Sequence, residues 1–312
     1  MLDADHFATL LRMTPNVHKL FLSDIWLIFP DYFVYPAYRT SLLHLELSYP
    51  SFEPSSSDMV CLLRFFEDIR LLTWRHCGLT HMEYMTHPSA LPPPPVVKQL
   101  TVEGIDVEAA EFDNLPANLI DFDHLERVEL VPNGPFYAIY YDVLEKAAST
   151  MRHLRMYLVQ GYGADGYGTP ARLVSNALRG PRLEELLLEI DLKLPYVAYS
   201  IETLAEVLSA AQITANQFPA LRRLVLIFHF DRDTHELPEP EPEELDLDFE
   251  TDIDRMLVEI VSQSHAAKIE CRWHELYNPL GEDLEACLRK IFPRLIEQKA
   301  LELIQIPAQD PR

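Results

Sequence analysis

Cysteine, positive charge and long apolar runs are all scarce in this chain. The four cysteines, Cys61, Cys77, Cys271 and Cys287, are far apart, and none falls in a CxxC pair. A disulfide framework or a zinc ribbon needs denser or closer usage, so the thiols are expected reduced and mostly buried. Lys and Arg together number 26 against 49 Asp and Glu, a formal net charge of -23. Such a surface repels a phosphate backbone and an anionic bilayer, which argues against nucleic-acid and membrane partners. No apolar stretch approaches the length of a spanning helix. The opening MLDADHFATLLRM carries acids early, where a secretory signal has a basic start and an unbroken apolar run. These absences together describe a soluble chain of the cytoplasm or nucleus.

What is present is a repeat. The 312 residues are 48% hydrophobic, enough to bury a sizeable core. One pattern recurs: apolar, two variable, apolar, one variable, apolar. Its copies begin at Val17, Leu42, Ile69, Val97, Leu125, Met151, Leu183 and Leu221, with a degenerate ninth at Ala266-x-x-Ile269-x-Cys271. The middle apolar positions of the eight clear copies are 20, 45, 72, 100, 128, 154, 186 and 224, spaced by 25, 27, 28, 28, 26, 32 and 38 residues. One such triplet arises easily by chance, but eight at near-constant spacing do not. The period starts within the leucine-rich-repeat range of roughly 20–29 residues and then stretches.

The physics of the pattern is that side chains alternate across a strand. Leu20 and Leu22 then face a core while Lys19 and Phe21 face away. A lone strand cannot bury its apolar face, so each stacks on the next in parallel and the chain returns along the other side. The expected fold is α/β, a leucine-rich-repeat solenoid with a curved parallel sheet and helices on its convex side. It fills residues 1–312 as a single domain of about eight or nine irregular repeats. Helical returns are expected at Ser57–Phe66, Phe136–Ala148, Ala171–Leu178 behind Thr169-Pro170, Ile201–Ala211 and Ile253–Val261. A short helix and turn is expected within Val107–Phe122. A longer amphipathic helix, Glu282–Gln298, is expected to close the solenoid end. Asp231–Glu250 holds ten acids against one Arg and is Pro-rich, so it reads as a flexible insertion after the eighth strand. The proline run Pro92–Pro95 reads as a stiff spacer into the fourth strand.

The lead-ins Thr14-Pro15-Asn16-Val17, Gly180-Pro181-Arg182-Leu183 and Phe218-Pro219-Ala220-Leu221 share a style. So do the four prolines before Val96-Val97-Lys98-Gln99-Leu100 and the tail Phe292-Pro293-Arg294-Leu295-Ile296-Glu297 with its apolar, strand-like end. Together they resemble the leucine-rich-repeat regions of F-box proteins from mushroom-forming basidiomycete fungi, over nearly the whole chain. The resemblance implies a protein-binding module, the substrate-recognition part of an SCF-type ubiquitin ligase subunit. In that family an N-terminal F-box of helices binds the ligase adaptor. Here the first repeat begins at Val17, so adaptor binding is expected only if an F-box lies upstream. The alternative is a repeat scaffold unrelated to ubiquitin.

Enzymatic readings are weaker. Gly161-Tyr-Gly163-Ala-Asp-Gly166 spells GxGxxG between a strand and a helix, with Glu189 and Asp191 downstream. The helix, however, is expected to start at Thr169-Pro170, after the glycines, whereas a cofactor phosphate sits where the helix begins. A glycine-tyrosine loop between repeats is the expected reading, with a dinucleotide-binding enzyme using Gly161, Gly163 and Gly166 as the remaining alternative. His76, Cys77, His81 and His87 lack tetrahedral-site spacing. Cys271 and His274 have no third group for nucleophilic catalysis. No catalytic residue, metal or cofactor is therefore assigned. The outward strand positions instead form a near-neutral set inside an acidic protein: Lys19, Phe21, His44, Glu46, Leu71, Thr73, Gln99, Thr101, Arg127, Glu129, His153, Arg155, Glu185, Leu187, Arg223 and Val225. With Arg75 and Tyr157 at strand ends, the expected partner-binding residues are Arg75, Arg127, His153, Arg155 and Tyr157, facing a protein with an acidic or phosphorylated segment.

Overall fold

The structure is a computed structural model, which describes residues 2–25, 27–29, 33–49, 56–75, 91–104, 118–131, 138–158, 181–194, 204–205, 207–208, 220–232, 247–263, 269–274, 288–289 and 291–306. The chain divides into two compact units, Met1–Met151 and Arg152–Arg312.

In the first unit, β1 (Leu2–Asp3) leads into α1 (Ala4–Met13), whose N-terminus is capped by the Asp3 carboxylate accepting from Asp5 N at 2.8 Å. Then come β2 (Lys19–Ser23), β3 (Leu27–Ile28), β4 (Thr40–Ser48), α2 (Ser56–Leu63), β5 (Phe66–Arg75), β6 (Val96–Glu103), a 3-10 turn at Phe122–His124, β7 (Arg127–Val131) and α3 (Ala138–Ala147). Strands β2, β4, β5, β6 and β7 lie side by side in chain order, every neighbour parallel. The short β1 pairs with β3.

The register aligns the apolar triplets position by position. Leu20, Leu45, Leu72, Leu100 and Val128 form one row, and Leu22, Leu47, Trp74, Val102 and Leu130 the next. All except the half-buried Leu20 are buried. This is the consequence of an alternating pattern stacked in phase, because a slip of one residue would turn each leucine to the opposite face. Beneath the first strands an aromatic cluster of Phe7, Phe33, Tyr35 and Phe65 fills the space, with Phe7 edge-on to Phe65 at 5.0 Å. The Tyr35 hydroxyl donates to Cys61 O at 3.0 Å, so its polar end is satisfied inside the apolar layer.

The second unit repeats the plan. It runs β8 (His153–Leu158), β9 (Glu185–Leu194), β10 (Arg223–Arg232), α4 (Leu247–Gln263), β11 (Ile269–His274), α5 (Pro293–Glu297) and β12 (Leu301–Ile306). Its five strands are again parallel neighbours in chain order. Met156, Leu188, Leu226, Cys271 and Leu303 form one inward row. Among the described residues the protein is thus α/β, with ten parallel strands laid down five to a unit and few helices.

Four expectations change. The tail does not end on one long helix over Glu282–Gln298. Pro293 denies the helix an N–H and holds Phe292 at φ -119°, ψ 53°, outside the helical region, so a new short helix starts at Pro293. The chain then adds a strand, β12, beyond β11. The ends of the acidic segment Asp231–Glu250 are also ordered: residues 231–232 finish β10, and α4 begins at Leu247, six residues before the expected Ile253. Its centre, residues 233–246, lies outside the described residues. Of the expected outward positions, Val225 and Thr73 are buried. The return at Ser57–Phe66 ends earlier than expected, because Phe66 already belongs to β5.

Among the other returns, Phe136–Ala148 appears as α3, and helical residues occur at 204–205 and 207–208. The Ala171–Leu178 helix and most of Val107–Phe122 lie outside the described residues.

Candidate functional site

Strand alternation gives each unit a face opposite its core, and parallel register sets that face in rows. In the first unit Lys19, His44, Leu71, Gln99 and Arg127 share one row, followed by Phe21, Glu46, Thr73, Thr101 and Glu129. Arg75 and Glu103 stand one step further along β5 and β6. The Arg75 guanidinium reaches across the strands, with Nη1 donating to Glu46 Oε1 at 3.2 Å and Nε 2.8 Å from Glu103 Oε2. His44 Nε2 lies 2.9 Å from the buried Thr73 hydroxyl. Burial holds the His44 pKa below its ordinary value, more strongly than nearby Glu46 raises it. Arg127 is exposed at the start of β7 and makes no ion pair among the described residues.

In the second unit the same face is a network of charges. His153 Nδ1 lies 3.3 Å from Glu185 Oε2, and Arg223 Nη1 donates to Glu185 Oε1 at 3.2 Å. Arg223 also grips Glu270 with two parallel bonds, Nε at 2.6 Å and Nη2 at 2.8 Å. Arg272 Nη2 reaches the same carboxylate at 2.6 Å. Glu189 is buried; Arg155 Nε donates to one of its oxygens, and His229 Nε2 lies 2.9 Å from the other. Burial alone would raise the Glu189 pKa, but the bonds from His229 and Arg155 outweigh it and hold the carboxyl below its ordinary value. The Tyr157 ring stands 5.8 Å from the His229 ring.

The expected site residues therefore have different fates. Arg75 and Arg127 belong to the first unit, on β5 and β7. His153, Arg155 and Tyr157 stand at alternate positions of β8 in the second. Arg75, His153 and Arg155 are each beside a carboxylate of a neighbouring strand, so the charges of the two arginines are largely answered within the protein. Sequence reading missed Glu189, Glu270, His229 and Arg272 as members of the face. The signal was available: aligning the triplets places Glu185 opposite His153 and Glu189 opposite Tyr157.

Among the described residues, no group of three His, Cys, Asp or Glu side chains converges as a metal site. Cys271 is fully buried on the core side of β11, where burial pushes its thiol well above the ordinary range. His274 ends the same strand, three positions on from Cys271. The Gly161–Gly166 motif and His76, Cys77, His81 and His87 lie outside the described residues. No described helix is long and apolar enough to cross a membrane. Comparison with protein-family models, curated proteins and solved structures finds no match for this chain.

Proposed function

We propose that this chain is a leucine-rich-repeat solenoid that holds another protein against the outward face of its parallel strands, and that it is not an enzyme. One observation carries the reading. Apolar triplets recurring through the sequence stack row upon row, while polar side chains opposite them are locked to one another across strands. Side chains already fixed by cross-strand pairs lose little freedom when a partner docks, so such a face is preorganised for binding. Arg127, like Lys19, is an exposed cation of this face without an ion pair among the described residues, and its planar fork suits an acidic or phosphorylated segment.

The resemblance to fungal F-box repeat regions supports a finer reading: the partner is a protein selected for ubiquitination. In that reading, adaptor binding belongs to an F-box upstream and the repeats supply selection. The experiment is affinity purification with the wild-type chain and with Arg127→Glu. Proteins held by the first and lost by the second, with the fold intact by circular dichroism, support the binding face. Identical captured sets remove Arg127 from it. Accumulation of a captured protein when the chain is depleted from cells supports the ubiquitin reading, and unchanged turnover opposes it.

A further inference from the structure

We infer that the first unit pairs with a second copy of this chain through the free edge of β2. The inference does not rest on the proposed partner, although Phe21 belongs to the outward face.

Three observations meet at this edge. First, β2 is the outermost strand of its sheet among the described residues, bonded to β4 on one side. An unpaired strand edge presents a row of backbone donors and acceptors that another strand can complete. Second, the strongly exposed large apolar side chains among the described residues all fall between Leu10 and Leu43. Phe21, on β2 itself, is 60% exposed, and Met13, at the end of α1, is 75% exposed. An exposed aromatic on the edge strand itself favours an occupant that covers it. Third, residues 1–43 carry three Lys or Arg against four Asp or Glu, whereas the whole chain has a net charge of -23. Two copies of so acidic a protein repel one another except where charge is locally balanced, and this end is such a place.

The sequence of the edge selects the geometry. Lys19-Leu20-Phe21-Leu22-Ser23 is self-complementary when two copies run antiparallel about a two-fold axis through Phe21. Phe21 then faces Phe21 of the second copy, Leu20 faces Leu22, and Lys19 faces Ser23. The apolar side stays on the core side in both copies, and no like charges oppose. Aromatic cross-strand pairs of this kind are favourable in antiparallel ladders.

The test is sedimentation equilibrium of the full chain across the micromolar range. The wild type is expected to form a concentration-dependent dimer. Phe21→Glu alone and Phe21→Lys alone each place like charges on the axis, and each is expected to weaken the dimer by roughly tenfold or more. Because Phe21 is largely solvent-exposed, both variants should keep the wild-type circular dichroism spectrum. Mixing them apposes Glu with Lys at position 21 and should restore a heterodimer. A wild type that stays monomeric throughout the range overturns the inference. So does a dimer that both single variants leave unchanged, or a mixture that fails to pair.

Discussion

Glu270 accepts two hydrogen bonds from the Arg223 guanidinium, at 2.6 and 2.8 Å, from a strand one place over in the sheet. Those bonds, with Arg272 as a second partner, bring the Glu270 pKa from 4.5 to about 2. A carboxylate whose folded pKa is depressed stabilises the fold above its unfolded value and loses that contribution as pH falls through the folded one. The window here runs from 4.5 down to about 2. The shift alone corresponds to about 3 kcal/mol, but Arg223 is 40% exposed, so solvent screening reduces the expected contribution to about 1 kcal/mol. Urea denaturation of the wild type should show stability falling across this window. Glu270→Gln should be less stable at neutral pH and show a shallower acid decline. Equal slopes for the two proteins would contradict the assignment.

Asp254 should be among the costliest single positions in the second unit. It is fully buried on α4, and its carboxylate accepts from the backbone N–H of Arg294 at 2.8 Å and of Leu295 at 3.2 Å. These are orphan donors of the first turn of α5, which Phe292 does not cap with a side chain. Asp254→Ala strips both of their acceptor and should cost about 2–4 kcal/mol. Asp254→Asn keeps one oxygen and turns an amide NH2 towards the other donor, so it should fall between. Chemical denaturation checks the order, and an Asp254→Ala variant as stable as wild type would show that the cap contributes nothing.

How much of this was legible beforehand follows from where the information lies. The strands were legible because Leu45, Leu72, Leu100 and Val128 sit at steady spacing, and in-phase stacking is the arrangement that buries them all. The strand β12 was harder to place as a repeat, since its apolar residues follow Pro293 and a short helix in place of a full-length return. The Asp254 cap joins residues about forty apart by a hydrogen bond that no local pattern encodes. The burial of Val225 was misread because alternation assigns a face and not a neighbourhood. At the face, single residues such as Arg155 were found by their type, whereas their partner Glu189 belongs to a strand 34 residues later.

Arg64 is expected to be a stability liability. It is 2% exposed, immediately after α2, with Nη2 donating to Asn118 O while Nε and Nη1 have no hydrogen-bond partner among the described residues. Burial, and then the neighbouring Arg39, lower its pKa from the ordinary arginine value, as expected where the charged form is disfavoured. A buried charge without full compensation is often improved by an apolar residue of similar length. Arg64→Met should be neutral or stabilising by about 1 kcal/mol, the lost bond to Asn118 being offset by relief of desolvation. A loss of several kcal/mol in thermal or chemical denaturation would mean that the guanidinium is better satisfied than its contacts indicate.

Arg127 and Arg155 separate binding from folding. Arg155 donates to Glu189, whose side chain is only 6% exposed, so Arg155→Glu sets a second carboxylate against a buried one. That change should destabilise the second unit by about 3 kcal/mol or more, or force Glu189 to take up a proton. Arg127 is exposed and has no ion pair among the described residues, so Arg127→Glu should shift stability by no more than about 0.5 kcal/mol. If the outward face holds a partner with an acidic segment, Arg127→Glu weakens binding while the melting transition stays in place. Arg155→Glu is expected to lower both together. Side-by-side thermal melts of the two variants settle the structural half, because a fold indifferent to Arg155→Glu would mean that Glu189 does not depend on its arginine.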